Sequence, residues 1–114
     1  MSDTVLLDIK DGVATVTLNQ PEVRNALTPE LRVAFREIIG SLEFNDEARC
    51  VVITGAGDHF MAGGDIRNMI ERLKMEDGDR RKMILEGIHM LHLPLFAIRR
   101  MGKPDIASIK GAAA

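Results

Sequence analysis

Ala62-Gly63-Gly64-Asp65 separates a β-rich apolar run at 50–54 from a helical pattern that opens at Asp65, and no other stretch restricts this chain as much. Adjacent glycines weaken both helix and strand, so the backbone at this point serves either a sharp turn or the close approach of another group. A helix opening at Asp65 leaves its first N–H groups without internal partners, and its dipole adds partial positive charge there. Small residues just before the cap would admit a polar atom: a phosphate, or a carbonyl oxygen that gains negative charge during reaction. The residues themselves leave two readings open. One is a tight turn that Asp65 merely caps, and the other is a binding position built on the Gly64 N–H.

The flanking pattern is that of an α/β chain. Residues 5–9 and 13–18 are β-rich, and Asp11-Gly12 between them predicts a hairpin. In the second run Ala14, Val16 and Leu18 alternate with Val13, Thr15 and Thr17, which places the more apolar set on one face. After loop residues 19–25, Thr28 is expected as an N-cap, with Pro29 and Glu30 in the first turn. Leu31, Ala34, Phe35, Ile38 and Leu42 follow at helical spacing and form its core face. Residues 50–54 predict a strand buried on both faces. Residues 65–75 read as a polar helix and 77–79 as a break. Residues 80–101 read as a second helix, with Ile84, Ile88, Leu91 and Leu95 on one stripe and an interruption at Pro94. Residues 104–109 complete the order β-β-α-β-α-α-β. An apolar strand running into Gly-Ala-Ala-Ala would leave strand edges and apolar surface uncovered, as expected of the first part of a longer protein or of a chain that needs a partner.

Composition excludes several classes. With 114 residues, 46% of them hydrophobic and 28% charged, the chain suits one small globular domain. A net charge of -2 and 4% aromatic residues, with no Trp or Tyr, argue against nucleic acid. The single cysteine, Cys50, allows no intrachain disulfide and reads as a buried, inert thiol, so a cytoplasmic compartment is expected. The opening MSDTVLLDIKDG lacks a signal-peptide pattern, and no apolar run is long enough to span a bilayer, so no membrane association is expected. Gly55-Ala56-Gly57 fails as a dinucleotide fingerprint, because Phe60 stands where the third glycine belongs. His59, His89 and His92 lack the partners that would complete a ligand set, so no metal is expected. Met61, Met69, Met75, Met83 and Met90 read as core filler.

Three segments, LNQPEVRNALTPEL (18–31), VVITGAGDHFMAGGDI (51–66) and KPDIASIKGAAA (103–114), together resemble the enoyl-CoA hydratase/isomerase family, the crotonase superfamily. Their order and separations fit, and the resemblance extends over essentially the whole chain. It implies the N-terminal part of a crotonase-like ββα spiral over residues 1–114, an incomplete domain without the glycine cluster and later elements. It also implies a lyase or isomerase of fatty acid metabolism that binds an acyl-CoA thioester and stabilises its enolate in an oxyanion hole. Coenzyme A then arrives as part of the substrate, no separate cofactor is bound, and the full-length form assembles as a homo-trimer or hexamer.

Residue by residue, Gly64 matches the position whose backbone N–H forms half of the family's oxyanion hole. Ala62, Gly63, Asp65 and Ile66 match the strip along which the acyl-CoA lies. Arg24 and Ala26 match the loop that contacts the coenzyme's phosphates and adenine, and Arg67 is a further candidate for a phosphate. The second oxyanion donor is expected just after Ala114 and the acid/base carboxylates farther on, so the 114-residue chain alone is expected to be inactive. The alternative expectation is a truncated or split fragment that acts only by association. Hydratases, isomerases, hydrolases, dehalogenases and decarboxylases all share this scaffold.

Overall fold

A computed structural model describes residues 3–114. Asp11 and Gly12 take φ of 53° and 83°, the left-handed pair that matches strand twist in a two-residue hairpin. Strand β1 (Val5–Lys10) therefore pairs antiparallel with β2 (Val13–Leu18), with Val5 opposite Leu18 and Lys10 opposite Val13. A short 3-10 turn, Pro21–Val23, lies in the connection to α1 (Pro29–Leu42). Thr28 caps that helix, its Oγ1 accepting the Leu31 N–H at 3.2 Å. The chain returns as β3 (Cys50–Gly55), parallel to β2, with Cys50 opposite Val13 and Gly55 opposite Leu18. Helices α2 (Ile66–Arg72) and α3 (Asp77–Arg100) precede β4 (Asp105–Ser108), which is parallel to β3. The sheet order is β1-β2-β3-β4.

The core lies between the sheet and α1. Val16, Val51, Leu31, Ile39 and Leu42 are fully buried, so the period of two in β2 meets the helical period of α1 across one interface. Ala97 of α3 closes its edge. Lys103 fastens the end of α1, its Nζ donating to the carbonyls of Leu42 at 2.6 Å and Asn45 at 2.7 Å.

Several expectations change. Ile39, not Ile38, is the fully buried isoleucine of α1, while Ile38 packs partly against the core. In β3 only Val51 and Gly55 are buried; α1 covers one face of the sheet and leaves residues of the other half-covered. Helix α2 stops at Arg72, where the Leu73 N–H turns to the carbonyls of Ile70 and Met69. Asp77–Asp79 forms no break but the first turn of α3, where its carboxylates face the positive end of the dipole. Helix α3 runs without interruption through Pro94, which is buried, so the turns on either side outweigh the one N–H that proline lacks. Met61 packs against the core, whereas Met69, Met83 and Met90 are exposed: α2 buries no residue, and α3 buries only Pro94 and Ala97. All four residues of β4 are exposed, as are Phe44, Ile66 and Leu73. Uncovered apolar surface of this kind is what the strand-like C-terminal stretch led us to expect.

Candidate functional site

The site forms where three separate loops meet. The first is the turn that leads into α1. Arg24 and Asn25 both adopt left-handed backbone, with φ of 54° and 55°, a conformation that asparagine tolerates and that reverses the chain here. Asn25 is fully buried. Its Oδ1 accepts the Gln20 N–H at 2.7 Å, and its Nδ2 donates to the carbonyls of Ala56 at 3.1 Å and His59 at 2.9 Å. One side chain thus satisfies three backbone groups and joins the loop before α1 to the loop after β3.

The second loop is the Ala62–Asp65 stretch. The Ala62 N–H donates to the Arg24 carbonyl at 3.0 Å, and the Leu27 N–H donates to the Gly63 carbonyl at 2.8 Å. Leu27 and Gly64 form an isolated parallel bridge. Gly63 has φ of 98°, which a side chain would strain. A Cβ at Gly64 would meet the terminal Cε of Met69, an exposed and flexible side chain that would have to move aside.

The third loop follows β4. Ala114 N–H donates to the Met61 carbonyl at 2.9 Å and Met61 N–H to the Ala112 carbonyl at 3.0 Å. His59 holds the same segment: its Nδ1 accepts the Ala112 N–H at 2.9 Å. The strip from Met61 to Gly64 is therefore flanked by backbone on both sides.

At the mouth of α2 the donors are divided. Asp65 is the N-cap, and its Oδ1 accepts the Arg67 N–H at 3.2 Å. One donor of the helix start that the sequence offered as a ligand position, the Arg67 N–H, is thus occupied by the protein's own carboxylate. One residue earlier, Gly64 is exposed, and among the described residues its N–H donates to no protein acceptor. A free backbone donor therefore stands just before the cap.

The remaining candidates fall around this point. Ala26 is buried, Arg24 and Arg67 are exposed, and Ala62, Gly63 and Asp65 are half-buried. Ile66, the first residue of α2, is exposed. The structure brings the backbone of Arg24 and Ala62 together, but among the described residues no contact joins the Arg24 and Arg67 side chains. Asn25 and His59 were missed as site-builders. An asparagine, a residue that tolerates left-handed backbone, in the loop NQPEVRN was the available signal for the first, and nothing local signalled the second. Among the described residues no three His, Cys, Asp or Glu side chains cluster as metal ligands, and no helix is long and apolar enough to cross a membrane.

A ββα chain with a strip of small residues and an open amide before a short helix has close counterparts. The sequence profile of the enoyl-CoA hydratase/isomerase family matches residues 8–114. The chain belongs to that family. It is similar to YngF of Bacillus subtilis (strain 168), 34% identical over 115 residues, which cover 99% of this chain and 42% of that protein. It is also similar to the hydroxycinnamoyl-CoA hydratase-lyase of Pseudomonas fluorescens, 32% identical over 95% of this chain and 38% of that one. Among solved structures, an enoyl-CoA hydratase from Polaromonas sp. JS666 superposes with a TM-score of 0.84 at 35% identity, over 96% of this chain and 41% of that chain. The fold is crotonase-like, and the chain spans about 40% of the length of the relatives it matches.

Proposed function

We propose that this chain supplies the thioester-binding part of an acyl-CoA enzyme, with the Gly64 N–H as one of two donors to the thioester oxygen. The observation that carries this reading is that Gly64 is exposed, its amide has no acceptor among the described residues, and it is set on a strip that backbone bonds hold from both sides. A thioester carbonyl that becomes an enolate gathers charge on oxygen, and a donor fixed in advance stabilises that charge without reorganising. Such a donor typically contributes about 3 kcal/mol to the transition state.

The acyl-CoA would lie along Ala62, Gly63, Asp65 and Ile66. Arg24, exposed on the loop whose carbonyl holds Ala62, suits the coenzyme's phosphates, as Arg67 does, because a guanidinium fork matches their oxygens. Ala26 would border the adenine. Coenzyme A enters as part of the substrate. The second donor and the acid/base carboxylates would come from elements beyond these residues, in a cytoplasmic homo-trimer or hexamer acting on fatty acyl groups.

Titration with an acyl-CoA thioester, followed by thermal shift, is the direct test, carried out on this chain and on a version continued past Ala114. Stabilisation of either supports the reading, and stabilisation of neither removes it. In the longer version Gly64→Pro deletes the donor N–H and should lower turnover by about a hundredfold or more. Unchanged turnover would strip Gly64 of the role.

A further inference from the structure

Helices α1, α2 and α3 enclose a cleft of about 420 Å³ that includes no residue of the Ala62–Arg67 strip. Val33, Met83, Met90 and Leu91 form its apolar wall. Its charged groups are Arg32, Arg36, Arg72 and the carboxylate of Glu86. Arg32 from α1 and Arg72 from α2 converge beside Gly87 of α3. A Cβ at Gly87 would lie 3.3 Å from Nη1 of Arg32 and 3.9 Å from Nη2 of Arg72, so the glycine gives the Arg32 guanidinium room and leaves that of Arg72 in ordinary contact.

The Nε donors of these two half-buried arginines are not satisfied by the fold. The Nε of each is shut off from solvent and has no hydrogen-bond partner. Neither belongs to an ion pair among the described residues. Burial holds the Arg32 pKa below the usual guanidinium range and repulsion from Arg72 adds to this, while Asp65 and Glu30 oppose it from beyond ion-pair distance. Two neighbouring cations with covered, unused donors destabilise a fold unless an anion completes them. Guanidinium forks match the paired oxygens of a carboxylate or phosphate.

We propose that the Arg32–Arg72 cleft is an anion site, separate from the Gly64 strip, that takes a carboxylate or phosphate oxyanion between the two guanidiniums. Arg36 strengthens the positive field, and the wall of Val33, Met83 and Met90 accommodates a short hydrocarbon part on the anion.

The probes are inorganic phosphate and succinate, titrated separately into the ¹⁵N-labelled chain at constant ionic strength. The Nε–H resonances of Arg32 and Arg72 are followed, with the exposed Arg81 and Arg99 as references. Saturable shifts confined to Arg32 and Arg72, and abolished by Arg32→Gln or Arg72→Gln, are expected. Saturation by phosphate alone assigns a tetrahedral oxyanion, and saturation by succinate assigns a carboxylate. Linear shifts of equal size at all four arginines with both probes would overturn the proposal. Should the glutamine variants fail to fold, Arg72→Lys retains the charge without the fork and should weaken binding about tenfold; unchanged affinity in that variant would overturn the proposal equally.

Discussion

The side-chain amide of Asn25 donates to the His59 carbonyl at 2.9 Å, across 34 residues of sequence. That bond sets the turn into α1 against the turn out of β3, and the Arg24 carbonyl meets the Ala62 N–H as a result. Asn25→Gly keeps the left-handed backbone accessible but removes all three side-chain bonds. Unfolding in urea should show a loss of about 3 kcal/mol, because buried backbone groups lose their partners. A loss below about 0.5 kcal/mol, the size of an ordinary surface change, would mean that water replaces the amide and the bond does not hold the loops together.

Ile39 is completely buried where α1 crosses the sheet. Ile39→Ala should cost about 2–5 kcal/mol through lost transfer energy and the cavity left behind. Ile38→Ala, at the partly covered neighbour, should cost clearly less in the same denaturation series. Equal losses would show that the face of α1 is assigned wrongly.

Lys103 reaches the last carbonyls of α1 and the turn after it, Leu42 and Asn45. Lys103→Met retains much of the stem but loses both charge-assisted bonds, and the melting temperature should fall by an amount equivalent to about 2 kcal/mol. A melting temperature within error of the parent would place the ammonium in water instead.

His59 accepts the Ala112 N–H through Nδ1. In His59→Ala the Ala112 amide should exchange with solvent much faster, and the neighbouring Met61 and Ala114 amides should follow. Amides of β2 and β3 should stay protected, since the sheet does not depend on that imidazole. Uniform loss of protection would point instead to global destabilisation.

The hairpin, the Thr28 cap and the element order were legible because each depends on neighbours in sequence: Asp11-Gly12 for the turn, Thr28-Pro29 for the helix start, and period two in β2. The helix limits were less legible. Asp77-Gly78-Asp79 carries residues that favour loops, yet it begins α3, and Pro94 lies within an unbroken helix because tertiary packing outweighs local preference. The candidate strip was visible through its glycines. Its construction was not, because Asn25, His59 and Ala112 act across long separations and their bonds leave no local pattern. The Arg32–Arg72 convergence was invisible for the same reason: two arginines on different helices look like solvated charges until the chain is folded.

The backbone pinning of Met61–Gly64 bears on the order in which the molecule assembles. Its flanks come from residues 24–27 and 112–114, so the strip acquires its shape only after distant parts of the chain have met. Closures over long loops lose entropy before any contact compensates them. The hairpin and α1 need only short closures, so the Met61–Gly64 strip is expected to take its shape after them.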